Sequence, residues 1–484
     1  MESIKFFFRI SGIIVFTFIT HVASGQQNNS LYFLDRVPQS IQLNPALQPS
    51  CKFYFGFPAL SGIEINAGNN ALGTRDVLIK DKDLDMLVTP LYSEKISRDA
   101  LDKLRKNNIF SSGAQLDLIS FGFKIKESYV SFLIADKINM NVNIPKDLAT
   151  FVYDGIDVGK SYTFDRIGVN ANYYREYSIG YSQKLNDRIS FGIRGKMLFG
   201  KANISSKQNE ITLSEPDRET LQLSSSIKVN SSLPHFKVYT DPSGKPDSTD
   251  FEDFDDGKAF VDDLFMLTKN KGFAFDLGFQ YNIDDRSAIS ASILDLGYIN
   301  WKNNVNTLSG GGDYYFHGVN FNNDSTDEAE AILDTIKDVY DMTVANDPYN
   351  TLLTPKLYVG YSYSPNRFFK FGLLSRSELM LKTFRQQFTG SITMYPAQIL
   401  SATVSYTVAN RMYDNLGVSL TLRTGPFQMY FMTERIPLFW YKVKGDNVPF
   451  IPYYAKDVNF RMGINFVFGA NPRRKLMKDQ PFLE

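Results

Sequence analysis

The sequence predicts an all-β fold: a transmembrane, antiparallel up-and-down β-barrel of about 14 strands, with an N-terminal plug or hatch segment and short loop helices. Three observations predict it. Long stretches alternate apolar residues with polar residues or glycine, the chain opens on an export signal, and no later run is long and apolar enough for a helical span.

The alternation is clearest in three segments. From Arg188 to Gly200, Ile189, Phe191, Ile193, Met197 and Phe199 share one face, and Ser190, Gly192, Arg194, Lys196 and Gly200 the other; Leu198 is the apolar intruder. From Gly272 to Ile283, Phe273, Phe275, Leu277, Phe279, Tyr281 and Ile283 stand against Gly272, Ala274, Asp276, Gly278, Gln280 and Asn282. From Val458 to Gly469, Val458, Phe460, Met462, Ile464, Phe466 and Phe468 stand against Asn459, Arg461, Gly463, Asn465 and Gly469. A period of two places these sets on opposite faces of a sheet. Shorter copies run near residues 119–125, 177–182, 357–363 and 416–423, and less regular ones at Gly56–Gly68, Tyr162–Tyr174 and Glu210–Val229. Asn186-Asp187, Asp284-Asp285 and Ser364-Pro365-Asn366 read as tight turns between neighbouring strands.

A soluble β-sandwich also alternates, but its strands run about 5–6 residues. A tilted membrane strand needs about 9–11, the length of the clearest segments here. One face carries large Phe, Tyr, Leu and Ile almost without relief, as expected of a lipid-facing band around a polar interior. Aromatic residues make up 14% of the chain, mostly Phe (40) and Tyr (27). The mean hydropathy of -0.22 is compatible with this, because each lipid-facing residue alternates with a polar one.

At the start, Lys5 and Arg9 supply positive charge, Ile13 to Ile19 an apolar run, and Ala23-Ser24-Gly25 a small-residue cleavage site. Cleavage is expected after Gly25, which places the mature chain in the outer membrane of a Gram-negative cell. The single cysteine, Cys51, cannot form an internal disulfide and reads as structural. Balanced charge, 52 basic against 52 acidic residues, argues against a nucleic-acid partner.

The remaining boundaries follow from where the strand rhythm stops. Residues 1–25 read as signal, 26–110 as a hatch or plug-like segment with a short helix, 111–469 as the barrel, and 470–484 as a charged tail. Within the barrel, long loops are expected near 230–270 and 302–353. Helical spacing appears in Tyr92 to Lys106 (Ile96, Ala100, Leu101, Leu104), in Asp255 to Lys271, and in Ser325 to Ala345, where Ser325 and Glu328 suit a capping box. Prolines around Asn44-Pro45-Ala46 and at Pro49 exclude a regular strand there.

These elements carry a resemblance. Leu31-Tyr32-Phe33 with Val37-Pro38-Gln39, then Asn44-Pro45-Ala46, and later Asp295-Leu296-Gly297-Tyr298-Ile299-Asn300-Trp301 look like a family of Bacteroidota outer-membrane barrels of unassigned function. More distantly, the architecture is similar to the long-chain fatty acid transporter (FadL-like) superfamily, whose members carry an Asn-Pro-Ala element in an N-terminal hatch. The resemblance implies a channel or transporter for apolar or amphipathic small molecules, gated by the hatch. The alternative is a structural or accessory barrel of an envelope secretion or motility assembly. Asn44, Pro45 and Ala46 are the candidate hatch residues. Inward-facing Arg194, Lys196, Asp276, Gln280, Lys370, Arg461 and Asn465 are the candidates to line the lumen. Expected partners are outer-membrane lipid, with a hydrophobic small molecule and other envelope proteins as further candidates.

Little in the sequence suggests an enzyme. His21 leaves with the signal, and His235 and His317 fall in expected loops with no serine partner evident. No zinc pattern is present, and no cofactor is expected. The acidic run Asp250, Glu252, Asp253, Asp255, Asp256, Gly257 lacks calcium-loop spacing and reads as a solvated loop. Gly310-Gly311-Gly312 lacks the Lys-Ser/Thr of a phosphate loop and reads as a flexible connection.

Overall fold

In the computed structural model, the alternating segments pair edge to edge until the sheet meets its own beginning. It describes residues 29–469 except 78, 82–85, 89–93, 155–158, 166, 218–219, 243, 252–268, 317–341, 381–382, 398, 410–411, 437–439, 442–450 and 453–455. The signal, the charged tail, His317 and most of the two loop helices expected around residues 255–271 and 325–345 lie outside the described residues.

The strands, in chain order, are β1 (Phe53–Gly56), β2 (Ile63–Asn69), β3 (Asn107–Ile125), β4 (Ser128–Pro145), β5 (Gly168–Lys184), β6 (Ile189–Asp217), β7 (Thr220–Ser232), β8 (Asn270–Asn282) and β9 (Ser287–Trp301). They continue with β10 (Val305–Phe316), β11 (Lys356–Tyr363), β12 (Phe369–Met380), β13 (Thr383–Met394), β14 (Leu400–Ala409), β15 (Met412–Thr424), β16 (Phe427–Thr433) and β17 (Asp457–Phe468). β1 and β2 are two halves of one wall strand. Together they lie between β3 and β17, with Phe53 opposite both Phe123 and Phe468, and Ile63 opposite both Leu116 and Met462. This closes an antiparallel barrel of 14 strands.

The alternation has the meaning expected of it. Phe273, Phe275, Leu277 and Phe279 of β8 point outward and are exposed, while Gly272, Ala274, Asp276 and Gly278 face in. Exposed outward Phe, Leu, Ile and Tyr form a band around the wall, which suits contact with lipid and not with water. At one end the strands join through short turns. In three of these a side-chain oxygen accepts two backbone N–H groups: Asn186 from Arg188 and Ile189, Asp284 from Arg286 and Ser287, Asn366 from Phe368 and Phe369.

At the other end the wall rises unevenly. The lower half of β6 pairs with β8, whereas its upper half, from Asn203 on, pairs with β7 on that side. β7 pairs in turn with β10, the continuation of β9. Such a fork strands backbone donors, and Asn270, fully buried at the branch point, meets them. Its side-chain oxygen accepts from the N–H groups of Lys302 and Asn303, both at 2.9 Å. Below it, Trp301, Ile299, Leu198, Tyr174, Val305 and Leu353 fill the inside of the wall as an apolar cluster. Leu198, the intruder in its strand's polar set, belongs to that cluster.

Several expected boundaries need correction. Phe53–Gly56 and Ile63–Asn69 are wall, so the non-strand N-terminal segment ends before Phe53 and not at 110; the irregular alternation at Gly56–Gly68 marked the second half, and the four residues of the first are too few to show a period. The wall resumes at Asn107. The span 302–353 is not simply loop, since β10 runs through Gly310, Gly311 and Gly312. A Cβ on Gly311 would lie 2.5 Å from the Ser225 carbonyl oxygen of β7, so this glycine permits close strand pairing and is no flexible link. A hairpin of Phe236–Thr240 with Pro246–Phe251 occupies part of 230–270. The helix expected over 92–106 is present as α1 (Glu94–Lys103), and α2 (Lys146–Asp154) joins β4 to β5.

Candidate functional site: a plug in a glycine-lined socket

Residues 29–50 lie inside the barrel. They form two 3-10 turns, Asn29–Phe33 and Pro38–Gln42, then a turn at Asn44-Pro45-Ala46, and leave the lumen where the Lys52 N–H meets the Phe468 carbonyl at the short-turn end. This segment has no ladder of its own, so the wall must satisfy its backbone. Gln428 donates to the Arg36 carbonyl at 2.7 Å, Ser292 to that of Leu43 at 2.6 Å and Lys370 to that of Phe33 at 3.2 Å. Arg194 donates to the carbonyls of Ile41 and Gln42. The Glu434 carboxylate accepts the Ser30 N–H at 2.7 Å. Gln39 and Asn465 exchange amide bonds in both directions, at 2.8 and 3.0 Å.

The Asn44-Pro45-Ala46 turn is seated most tightly. Asn44 is fully buried; its oxygen accepts the Ala46 N–H at 2.9 Å and its amide donates to the Tyr32 hydroxyl at 2.8 Å. The Tyr32 hydroxyl donates in turn to Ser290 at 3.0 Å, and burial pushes its phenol up from the ordinary value. Opposite this turn, Gly192 and Gly278 face each other in register on β6 and β8. A Cβ on Gly192 would fall 2.2 Å from the Pro45 carbonyl oxygen, and one on Gly278 2.2 Å from the Asn44 oxygen. These two inward glycines form a notch cut to the depth of the turn. Apolar contacts complete the seat: Leu31, Leu34 and Val37 pack on Tyr430 and Met432, and Tyr32 and Phe33 on Leu294, Tyr358 and Leu374. Cys51 is buried against Ile41, Tyr54, Tyr129 and Val467, and that burial raises its thiol.

Above the plug, ion pairs cross the lumen. Arg194 pairs with Asp276 (3.1 Å), Lys196 with Asp276 (2.7 Å) and Asp295 (2.6 Å), and Lys356 with Asp295 (2.8 Å). Lys137 meets Glu176 at 2.7 Å. Arg461 meets Glu64 at 2.8 Å and the Gln42 side chain of the plug at 2.7 Å, while Gln42 donates to Asp117. Asp295 enters this layer because β9 bulges opposite Asp276, leaving Asp295 at φ 62 with its N–H on the Asp276 carboxylate. Two cavities remain beside the layer, of ≈ 70 and ≈ 50 Å³, lined mainly by these ions and by Asn66, Asn139, Asn141, Asn170 and Asn172. Each has room for a few waters and is too small for a metabolite.

The structure therefore brings Asn44, Pro45 and Ala46 together with Arg194, Lys196, Asp276, Arg461 and Asn465 around one plug-and-wall interface. Lys370 touches the plug at Phe33 and Asp35, and Gln280 hydrogen-bonds Asn282 near the short turns. Sequence reading missed Glu64, Asp117, Glu176, Asp295 and Lys356, and it missed the seating role of Gly192 and Gly278. His235 stands in a left-handed turn at φ 59. Among the described residues, no group of three His, Cys, Asp or Glu could hold a metal ion.

The fold and site define a membrane-type β-barrel closed from within by its own N-terminal segment. The chain belongs to DUF5723, a family of unknown function, whose model matches residues 45–434. No curated protein matches the sequence. Solved structures with a similar arrangement include the Pseudomonas putida toluene transporter TodX (8% identity, 92% of this chain, 99% of that chain, TM-score 0.38). Others are a FadL homologue from Pseudomonas aeruginosa (10%, 93%, 98%, 0.37) and the CymD monoaromatic hydrocarbon channel (8%, 89%, 93%, 0.33). At these scores the likeness says nothing of what this chain carries.

Proposed function

We propose that the chain is an outer-membrane channel for apolar or amphipathic small molecules, and that residues 29–50 are its gate. The carrying observation is what the plug covers. Leu294, Tyr358, Leu374, Tyr430 and Met432 form apolar patches on the inner wall, directly beside the ion-pair layer. Withdrawal of the plug would uncover apolar and charged surface side by side, a lining suited to a passenger that has both. With the plug seated, the two cavities beside the ion-pair layer have room only for water. Much of the plug is held through its backbone carbonyls, so seating depends on geometry and can be reversed as a unit.

The test is conductance and uptake in lipid vesicles. The intact chain should block ions, and deletion of residues 29–50 should open a steady ion-conducting pore while the barrel keeps its heat-modifiable migration. A closed trace from a correctly folded deletion variant would refute the gate. The filled lumen also favours a second reading, a structural barrel of an envelope assembly. That reading expects a larger stoichiometric complex on gentle detergent extraction, and a lone monomer would remove it.

A further inference from the structure

Among the described residues, hollows in the lipid-facing band lie at two outward glycines. One, of ≈ 650 Å³, surrounds Gly195, whose Cβ position is open; Phe132, Tyr177, Ile179, Met197, Phe199 and Phe273 wall it. The other, of ≈ 580 Å³, lies around Gly390 on the far side. They differ in what stands above them. At the end of the first hollow nearest the long connections, Arg175 and Lys271 flank Phe199 in register on either side. Arg175 is paired with Asp136 at 2.7 Å. Lys269 and Lys271 are exposed, and Lys302, exposed too, is tied through its N–H to Asn270 between them. Among the described residues above the second hollow, Gln386 hydrogen-bonds Ser375 and Ser377, and Leu379 and Phe384 are exposed beyond them.

We propose that the Gly195 hollow is a binding site for the phosphorylated lipid anchor of lipopolysaccharide in the outer leaflet. One acyl chain lies in the hollow against the six apolar side chains, and a phosphate of the head group meets Lys269, Lys271 and Lys302. The place of the lysines decides the occupant. They stand where the apolar series of β8 ends, Phe273 being its last outward member, and such an end suits the change from acyl chain to head group. They lie toward the long connections, hence on the outer leaflet if the chain sits as proposed above. Among the described residues the charge beside this hollow is net positive, which selects an anionic acylated lipid; a zwitterionic lipid would gain little from the lysines.

The experiment is native mass spectrometry of the full mature chain in detergent, titrated with bis-phosphorylated lipid A, dephosphorylated lipid A, phosphatidylglycerol and phosphatidylcholine. One lipid A should be retained in preference to the other three. Each lysine near a membrane surface is worth roughly a fivefold change in affinity, so Lys269→Gln, Lys271→Gln and Lys302→Gln together should weaken lipid A by on the order of a hundredfold. Gly195→Leu should weaken phosphorylated and dephosphorylated lipid A alike, and Gly390→Leu should weaken neither. Equal retention by the triple variant, equal binding of phosphatidylglycerol, or an equal effect of Gly390→Leu would each overturn the site. Nothing in this titration depends on passage through the lumen, so its failure leaves the channel standing. The converse also holds: a plug that proves not to be a gate leaves the lipid site intact.

Discussion

Gly192→Ala is the smallest change that tests whether the plug is held by shape. The added Cβ would lie 2.2 Å from the Pro45 oxygen, 2.3 Å from its carbonyl carbon and 2.6 Å from the Ala46 nitrogen. All three are backbone atoms of a prolyl turn, so no side chain can swing aside. The turn must retreat by about 1 Å, and overpacking of this kind costs about 1–3 kcal/mol. Retreat also pulls the Asn44 amide from the Tyr32 hydroxyl, a buried hydrogen bond worth about 1 kcal/mol. A total of about 3 kcal/mol raises the undocked population on the order of a hundredfold. Cys51 reports it: the sole thiol is buried against Ile41 of the plug, and its raised pKa keeps it protonated and slow. Maleimide labelling of the folded protein should accelerate by that factor in Gly192→Ala and stay unchanged in Gly195→Ala, where a Cβ meets nothing. Equal labelling rates for the two variants would refute the seating argument.

Gly278→Ala should accelerate labelling in the same way, since its Cβ would meet the Asn44 oxygen and the Ala46 nitrogen. Gln39→Ala and Asn465→Ala should each loosen the plug, and a double-mutant cycle on the labelling equilibrium should give a coupling of about 1–2 kcal/mol for their reciprocal amide pair. Arg194→Met leaves Asp276 with Lys196 and the Asp295 N–H, and two plug carbonyls without their Arg194 donor; a loss of about 3 kcal/mol is expected in urea unfolding from vesicles. Phe275→Arg places a charge in the lipid-facing band and should destabilise the inserted barrel by about 2–4 kcal/mol in the same assay.

How much of this could be read in advance depends on the range of the interactions involved. Period-two alternation is local, and the long strands β6, β8 and β17 were legible from it, as were the side-chain turns at Asn186, Asp284 and Asn366. The kinked first wall strand was legible only in part: an irregular alternation showed at Gly56–Gly68, whereas the four residues of its first half, Phe53–Gly56, carry no usable period. That Arg194, Lys196 and Asp276 face inward followed from parity; that they meet did not, because register between strands leaves no trace in either one. Asp295 was visible only as a motif residue, since the bulge that turns it into the lumen exists only against β8. Glycine was conspicuous in the polar sets, yet whether it met a plug, as Gly192 does, or open space, as Gly195 does, depended on a segment far away in sequence.

The first wall strand has a consequence for biogenesis. It is the seam between the two ends of the sheet, and the plug is the stretch of chain leading into it. Once β1 and β2 are zipped to both β3 and β17, the plug can reach its seat only by entering through the mouth of a finished cylinder. If instead the plug settles against β6, β8 and β13 while the sheet is still an open trough, closing the seam locks it in with no threading at all. A chain built in this order seals its membrane pore in the same step that creates it, and never passes through a leaking intermediate.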